Sequence, residues 1–190
     1  MKYDIILAGV GGQGVLSVSA IIASSAMKEG LVVKQSEVHG MSQRGGAVLA
    51  NLRLSDHEIA SDLIPLGSAS MILSMEPLES LRYLRYLSPG GAVITSSAPL
   101  VNISDYPDLE KLLAEIRRLP KAVLVDSERL ARQAGSARAT NMVMVGAASH
   151  WLPVRVETIE HFIGSAFART GEKVVDTNLK AFRAGREAAA

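Results

Sequence analysis

The chain has 190 residues, 20 lysines and arginines against 19 aspartates and glutamates, and no cysteine. Its length predicts one domain over residues 1–190. Without cysteine the chain cannot carry a disulfide framework, a thiolate zinc site, a cysteine nucleophile or a cysteine-ligated iron–sulfur cluster. The net charge of +1 argues against a nucleic-acid-binding protein, because that affinity needs clustered lysine and arginine.

No stretch of the sequence predicts a membrane span or a leader. The longest strongly apolar stretch, residues 141–152, is far shorter than the ~20 residues that a span requires. The apolar run after Lys2 is interrupted by Asp4 and by a cluster of glycines, which is not typical of a signal peptide. We therefore expect a cytoplasmic protein with no membrane partner.

In the first half of the chain, strand-length apolar stretches alternate with patterns of helical period. Residues 3–8 predict a buried strand. Apolar residues then recur every three or four positions, which predicts one face of a helix: Val15, Val18, Ile22 and Ala26. Gly30 is predicted to end that helix as a C-terminal cap. Further strands are predicted at residues 31–35, 47–54 and 69–75, with a polar loop between the first two of them.

The second half begins with a helix at Pro77, which Pro89-Gly90-Gly91 should stop. One side of that helix carries four leucines: Leu78, Leu81, Leu84 and Leu87. Strands at residues 92–96 and 121–125 flank a helix that Pro120 ends, and later helices start at Thr140 or Asn141, at residue 156 and near Thr177. These elements predict an α/β fold, a three-layer α/β/α sandwich with a Rossmann-like, mainly parallel sheet in a single domain.

The turn after the first strand fits G-x-G-x-x-G, with Gly9, Gly11 and Gly14 at the glycine positions and with Gly12 and Gln13 between them. Glycines let the backbone approach a ligand, while free N–H groups and the helix dipole attract a phosphate. The alternative is that the glycines only let strand and helix pack closely. All five residues are candidates for cofactor binding.

A second stretch with unusual chemistry, residues 36–46, reads Ser-Glu-Val-His-Gly-Met-Ser-Gln-Arg-Gly-Gly. It follows the second strand at the carboxyl edge of the sheet, where open α/β folds bind ligands. We expect two catalytic residues here, Arg44 to clamp a carboxylate or phosphate and His39 to donate or exchange a proton. The alternatives are a surface salt bridge for Arg44 and an ordinary loop histidine. The candidate cofactor-binding residues of this stretch are Glu37, Gly40, Met41, Gln43 and Gly45.

Other polar residues give weaker signals. His57, His150 and His161 lack the spacing of a metal site, so no metal ligand is predicted. Asn141 either caps the helix that it opens or joins the cofactor-binding residues.

As a set, these motifs resemble the gamma subunit or domain of 2-oxoacid:ferredoxin oxidoreductases, the pyruvate/ketoisovalerate oxidoreductase catalytic domain family. The resemblance runs from about Tyr3 to Gly185 and includes the glycine turn, the stretch at 36–46, Glu76-Pro-Leu-Glu79, Asn141 with Gly146, and Asn178 to Gly185. The His-Gly-Met-x-Gln-Arg-Gly-Gly sequence is the most specific part. It is most similar to the small (beta) subunit of indolepyruvate:ferredoxin oxidoreductases, since relatives acting on pyruvate or 2-oxoglutarate usually lack His-Gly-Met. Ser42 replaces a common alanine, which is a mild departure.

The resemblance implies oxidative decarboxylation of a 2-oxoacid to an acyl-CoA. In such enzymes thiamine diphosphate serves the decarboxylation, iron–sulfur clusters carry electrons to ferredoxin, and coenzyme A takes the acyl group. This chain lacks the Gly-Asp-Gly and paired asparagines of thiamine enzymes and has no cysteine. Thiamine diphosphate, magnesium and the clusters are therefore expected on a larger partner subunit, and the isolated chain is expected to be inactive. The resemblance implies that Arg44 and the N–H groups of Gly11 to Gly14 meet anionic groups, coenzyme A among them.

Two other functions remain open from the sequence. One is a free-standing NAD(P)-binding Rossmann protein, for which Lys34 would suit a 2′-phosphate. The other is a scaffold subunit whose loops make only protein contacts.

Overall fold

A computed structural model of the chain describes residues 1–39 and 45–190. Within those residues lie six strands: β1 (Lys2–Val10), β2 (Val32–His39), β3 (Ala47–Ser55), β4 (Ala69–Ser74), β5 (Leu87–Ser96) and β6 (Ala122–Val125). The same residues form seven α-helices: α1 (Val15–Lys28), α2 (Pro77–Arg82), α3 (Leu109–Arg117), α4 (Ser127–Ala134), α5 (Thr140–Ala148), α6 (Val156–Phe167) and α7 (Glu172–Ala188). This is the predicted alternation of strands and helices.

The strands pair in the order β2-β3-β1-β4-β5-β6. Strand β3 runs antiparallel to both of its neighbours, whereas β1, β4, β5 and β6 are parallel to one another. The prediction of a mainly parallel sheet is confirmed. Because β3 lies between β1 and β2, the second strand is displaced to the edge of the sheet, which a Rossmann-like reading of the sequence did not anticipate.

Helices cover one face of the sheet and a mixed layer covers the other. Side chains of α1, α5, α6 and α7 pack on the face that carries Ile5, Leu7 and Leu73. The opposite face, with Ile6 and Ile72, is covered by Ile64 and by residues that follow α2 and α3. Both faces of β1 are buried, and this explains its continuous apolar sequence.

A buried ion pair attaches the segment between β3 and β4 to the sheet. Arg53 on β3 donates from Nε to Asp4 Oδ1 at 2.9 Å and from Nη2 to Asp4 Oδ2 at 3.1 Å. Its Nη1 also donates to the carbonyls of Ser61 and Leu63 at 2.9 and 2.7 Å. These bonds hold Ile64 over the second face of the sheet.

Helices α5 and α7 cross at two glycines. A Cβ atom at Gly146 would lie 1.9 Å from the carbonyl oxygen of Phe182, and one at Gly185 would lie 1.9 Å from that of Val143. Only glycine permits this approach, since real Cβ atoms do not come so close to backbone oxygen. The crossing fixes where α5 begins, and therefore where Asn141 lies.

Strand β2 is longer than predicted. It continues past Gln35 to His39 because β3 satisfies its backbone groups along the whole length, and Asn51 Nδ2 donates to Ser36 Oγ at 3.3 Å. Glu37 therefore lies within a strand, whereas the sequence placed it in a loop.

Helix α2 is shorter than predicted. It ends at Arg82, and Leu87 with Pro89-Gly90-Gly91 belongs to β5, where a shift in the β4–β5 register accommodates a proline without an N–H group.

The C-terminal helices also differ in their bounds. The N-cap of α5 is Ala139, so neither Thr140 nor Asn141 caps it. Helix α5 ends at Ala148 rather than near Trp151, and α7 begins at Glu172 rather than near Thr177. Helix α4, with Asp126 accepting from Arg129 N–H at its start, was not predicted as an element of its own. In the described part of the chain, no helix combines the length and the hydropathy needed to cross a bilayer.

Candidate functional site

The glycine turn follows β1 at the carboxyl edge of the sheet and contacts the start of β3. Gly9 pairs with Val48 in the sheet. The N–H of Gly11 donates to the carbonyl of Gly46 at 2.8 Å, and the N–H of Gly45 donates to the carbonyl of Gly11 at 3.3 Å. The two glycine-rich stretches of the sequence are therefore neighbours, as their places in the chain predicted.

Both polar atoms of the Gln13 side-chain amide form hydrogen bonds within the protein. Its Oε1 accepts from Val10 N–H at 2.8 Å, and its Nε2 donates to the carbonyl of Met75 at 3.3 Å, so it ties the end of β1 to the end of β4. The Gln13 N–H donates to the Val10 carbonyl at 3.0 Å. With Gly11 N–H also engaged, Gly12 and Gly14 keep N–H groups that bond to none of the described residues.

Two helices begin at this edge without a side chain at the N-cap or an acidic residue in the first turn. The N-cap of α1 is Gly14, which has a left-handed backbone, and the N-cap of α5 is Ala139, the last residue of a 3-10 turn over Ala137–Ala139. Every other α-helix in the described residues has one or both. Two uncapped N-termini are a favourable environment for an anion supplied from outside.

Asn141 lies against the glycine turn rather than at a helix cap. A Cβ atom at Gly14 would come within 2.6 Å of Asn141 Nδ2. The Asn141 Oδ1 accepts from Met142 N–H at 3.0 Å, which orients the amide. The structure therefore brings Asn141 together with Gly14, while its role in binding stays a prediction.

A small cleft opens beside these N-termini. Its cavity volume is about 140 Å³, below the ~300–1,000 Å³ of typical small-molecule sites. Its lining comes from the ends of β4 and β5, from the segment after β5 and from the starts of α4 and α5: Gln13, Met75, Ser96, Ala98, Pro99, Leu100, Ser127, Glu128, Thr140 and Met144. A cleft of this size encloses only part of a nucleotide-sized ligand.

Sequence reasoning missed the polar residues that organise the segment after β5. The carboxylate of Glu76 is 1% exposed and accepts from Glu79 N–H at 2.8 Å, from Leu100 N–H at 3.4 Å and from the Tyr106 hydroxyl. Asn102 Nδ2 donates to the carbonyl of Gly45 at 2.7 Å. The sequence marked Glu76 only as part of a family motif, and Tyr106 and Asn102 stand in a loop with no periodic pattern to indicate their partners.

Part of the predicted site lies outside the described residues. Gly40, Met41, Gln43 and Arg44 are among them, as is the side chain of His39, whose backbone ends β2 opposite Val48. Their predicted roles stay predictions.

The position of β2 argues against the NAD(P) alternative. Glu37 pairs with Ala50, which in turn lies opposite Leu7, so Glu37 is level with the middle of β1. Glu37 also lies two strand spacings, about 10 Å, from β1. Lys34 is level with Asp4, near the opposite end of β1 from the glycine turn. Neither residue reaches the place where a dinucleotide ribose or 2′-phosphate would lie.

The three histidines other than His39 contact neighbouring residues in the protein. His57 Nδ1 lies 2.6 Å from Asp56 Oδ1, and His150 Nε2 lies 2.8 Å from the carbonyl oxygen of Arg186. The His161 ring packs edge-on against Phe162. Over residues 1–39 and 45–190 no group of three histidine, aspartate or glutamate side chains could hold a metal ion.

The fold and this edge define a three-layer α/β protein with a small cleft at the carboxyl edge of its sheet. A family model described as pyruvate ferredoxin/flavodoxin oxidoreductase matches residues 4–188. The chain belongs to that family, and it is a gamma-type subunit of the 2-oxoacid:ferredoxin oxidoreductases.

Named relatives are similar over nearly the whole chain. Indolepyruvate oxidoreductase subunit IorB of Pyrococcus horikoshii is 38% identical and covers 99% of this chain and 96% of its own. The same subunit from Archaeoglobus fulgidus is 37% identical, covering 97% and 94%. 2-Oxoglutarate synthase subunit KorC of Methanothermobacter thermautotrophicus is 31% identical, covering 98% and 95%. These relatives give no support to a free-standing NAD(P)-binding protein.

Solved structures share the fold. The gamma subunit of a keto/oxoacid ferredoxin oxidoreductase from Geobacter sulfurreducens aligns with a TM-score of 0.72 at 25% identity, covering 98% of each chain. A 2-oxoglutarate:ferredoxin oxidoreductase from Magnetococcus marinus, solved with 2-oxoglutarate, coenzyme A and succinyl-CoA bound, aligns with a TM-score of 0.78 at 21% identity. The alignment covers 99% of this chain and only 31% of that longer one.

Proposed function

We propose that the chain is the small subunit of an indolepyruvate, or other arylpyruvate, oxidoreductase. Four relatives named for indolepyruvate are 36–38% identical to the chain at nearly full length, whereas two relatives named for 2-oxoglutarate are 30–31% identical. The His-Gly-Met-x-Gln-Arg-Gly-Gly sequence favours the same branch. We further propose that residues 1–190 act as one gamma-type domain in the cytoplasm.

The reaction would convert a 2-oxoacid and coenzyme A to an acyl-CoA, carbon dioxide and a proton, with two electrons passing to ferredoxin. Thiamine diphosphate with magnesium supplies decarboxylation chemistry, and iron–sulfur clusters conduct the electrons. We place the clusters on a large partner subunit because this chain has no cysteine. We place thiamine diphosphate and magnesium there as well because the chain lacks the Gly-Asp-Gly and paired asparagines of thiamine enzymes. Ferredoxin would bind through that partner, and the isolated chain would be inactive.

The role proposed for this chain is to bind the anionic part of coenzyme A. The observation that carries the proposal is the meeting of two uncapped helix N-termini, those of α1 and α5, at the glycine turn. Phosphate oxygens bind well to free N–H groups at such N-termini. Glu128, an acid on the far side of the cleft, is paired with Arg132 at 3.3 Å, which lowers its repulsion toward an anion. The predicted participation of His39 and Arg44 belongs to this proposal.

The small cleft supports a site shared with a partner. A volume near 140 Å³ cannot enclose coenzyme A, so most of the molecule would lie on another surface. In the Magnetococcus enzyme the equivalent fold is a third of a longer chain, which is consistent with a domain that works against other protein.

The substrate is tested with the assembled complex of this chain and its cognate large subunit. Ferredoxin reduction would be measured with indolepyruvate, pyruvate and 2-oxoglutarate at saturating coenzyme A. We expect kcat/KM for indolepyruvate to exceed that for either other acid by about tenfold or more. A preference for pyruvate or 2-oxoglutarate would contradict the arylpyruvate assignment.

Arg44→Ala distinguishes coenzyme A binding from a scaffold role for this chain. The assembled complex should form normally and lose turnover by about tenfold or more, because a guanidinium bonded to an anion contributes about 1.5–3 kcal/mol. Arg118→Ala is the control, because Arg118 is the exposed C-cap residue of α3 and pairs with Glu115, and it should change neither property. Unchanged turnover in Arg44→Ala would favour the scaffold.

A further inference from the structure

The connection between β5 and α3, residues 97–108, lies over the carboxyl edge although it is neither helix nor strand. Ser97 N–H donates to the Val125 carbonyl at 2.9 Å and Ala98 N–H donates to Ser96 Oγ at 3.0 Å, which attach its first residues to the ends of β5 and β6. Connections in compact domains have a median length of about 4–6 residues, so this one is long. We call residues 97–108 the β5–α3 loop.

One end of the β5–α3 loop is held by a buried carboxylate. The Tyr106 hydroxyl and the Leu100 N–H both donate to Glu76 Oε1, while Glu79 N–H donates to Oε2. All three donors are neutral, so a nearly fully buried carboxylate depends on them for its stabilisation. Burial, and then the bond to Glu76, raises the pKa of Tyr106, so the hydroxyl keeps its proton and donates at neutral pH.

The middle of the same loop is bonded to Gly45, just before β3 begins. Asn102 Nδ2 donates to the Gly45 carbonyl, and Gly45 and Gly46 exchange backbone hydrogen bonds with Gly11. The contacts therefore run in sequence from Glu76 and Tyr106, through Asn102, to the glycine turn. Asn102 is flanked by Val101 and Ile103, which are 67% and 39% exposed, so hydrophobic packing of these neighbours does not hold the loop in place.

We propose that Tyr106 and Asn102 are positioning residues, which fix the β5–α3 loop against Glu76 and hold Gly45 beside the glycine turn in the geometry that coenzyme A requires. Neither side chain needs to touch the ligand. Without the Tyr106 hydroxyl, Glu76 loses a donor and the loop loses its attachment near α3. Without the Asn102 amide, the Gly45 carbonyl loses the bond that joins it to the loop. This inference rests on the proposed function, because the ligand named is that of the proposed site.

The test uses the assembled complex with Tyr106→Phe or Asn102→Ala in this chain. Tyr106→Phe, which removes a bond to a buried carboxylate, should raise the KM for coenzyme A by about tenfold. Asn102→Ala, which removes an exposed bond to a backbone carbonyl, should raise it by about threefold to fivefold. In both variants kcat at saturating coenzyme A should stay within about twofold. Backbone hydrogen exchange of residues 98–104 in the complex should be faster in both variants. Tyr83→Phe, a partly buried tyrosine beyond the opposite end of α2, should change neither property.

Three results are distinguishable. If the wild-type complex does not oxidise any arylpyruvate with coenzyme A, the proposed function fails. If it does, and both variants keep the wild-type KM for coenzyme A, the positioning role is overturned while the proposed function stands. A fall in kcat with an unchanged KM would also overturn it, because positioning of coenzyme A acts on KM. The two variants change different contacts in this series, so the proposal can still be tested if one of them fails to fold.

Discussion

At the scale of single residues, Gly14 has no room for a side chain beside Asn141. Its φ of +78° suits glycine, and a Cβ there would meet Asn141 Nδ2. Gly12 has a φ of +104° but has open space around it. A substitution at Gly12 therefore introduces backbone strain alone, whereas one at Gly14 introduces strain and a collision with Asn141.

We predict that Gly12→Ala lowers the free energy of unfolding by about 1–2 kcal/mol through strain alone. Gly14→Ala should cost about 1 kcal/mol more, because the far end of the Asn141 side chain must turn away and give up its bond with Met142 N–H. In an Asn141→Ala background, Gly14→Ala should cost only the strain. Urea denaturation of the purified chains measures all three. Equal losses for the two glycine variants would mean that Asn141 does not lie where the structure has it.

Tyr3 gives a prediction about alkaline pH. Burial raises its pKa to about 12 from an ordinary value of 10.0. The folded chain thus favours the protonated phenol, whose stabilising contribution is complete below pH 10 and is lost as pH rises from 10 toward 12. Because one pKa unit is about 1.4 kcal/mol, Tyr3→Phe should lose about 2 kcal/mol less stability between pH 8 and pH 11.5 than the wild type does. Identical losses in urea denaturation at the two pH values would contradict the prediction.

At the scale of elements, the crossing of α5 and α7 determines where one of the two uncapped N-termini lies. A methyl group at Gly146 or Gly185 would occupy the position of a backbone carbonyl on the other helix. Backbone cannot yield as a flexible side chain can, so the helices must separate.

We predict that Gly146→Ala destabilises the chain by about 3 kcal/mol or more, at the upper end for overpacked sites. Gly164→Ala in α6 is the matched control, because no atom lies within 4 Å of its Cβ position. It should stabilise the chain by about 0.5–1 kcal/mol, since alanine is the better helix former. Thermal unfolding of both variants provides the comparison, and a mild effect at Gly146 would contradict the close crossing.

The sequence could predict elements whose signal is local. The strand before the glycine turn and α1 after it follow from an apolar run, a glycine pattern and helical periodicity, all contiguous in the chain. The length of β2 could not be predicted, because it depends on pairing with β3. The early end of α2 depends likewise on the register between β4 and β5.

The same distinction applies to the candidate site. The glycine turn and its contact with Gly45 and Gly46 could be predicted from their places after two strands. Asn141 could not be placed correctly, because the N-cap of α5 lies two residues earlier, at Ala139, and Asn141 is instead a neighbour of Gly14. Glu76, Tyr106 and Asn102 meet partners far along the chain, and no spacing in the sequence indicates such contacts.

At the scale of the whole molecule, the chain has a complete core but only a small cleft at the proposed site. Both faces of the sheet are covered, whereas the cleft at its carboxyl edge holds only about 140 Å³. The chain has no cysteine and belongs to a family of ferredoxin or flavodoxin oxidoreductases. Cleft size and composition thus support our proposal of a subunit whose activity depends on a partner.

The most direct test is ferredoxin reduction by the cognate large subunit, with indolepyruvate and coenzyme A, measured without this chain and after adding it. We predict that turnover appears only when the chain is added and that it saturates as the complex forms. Equal turnover by the large subunit alone would show that the reaction does not need this chain.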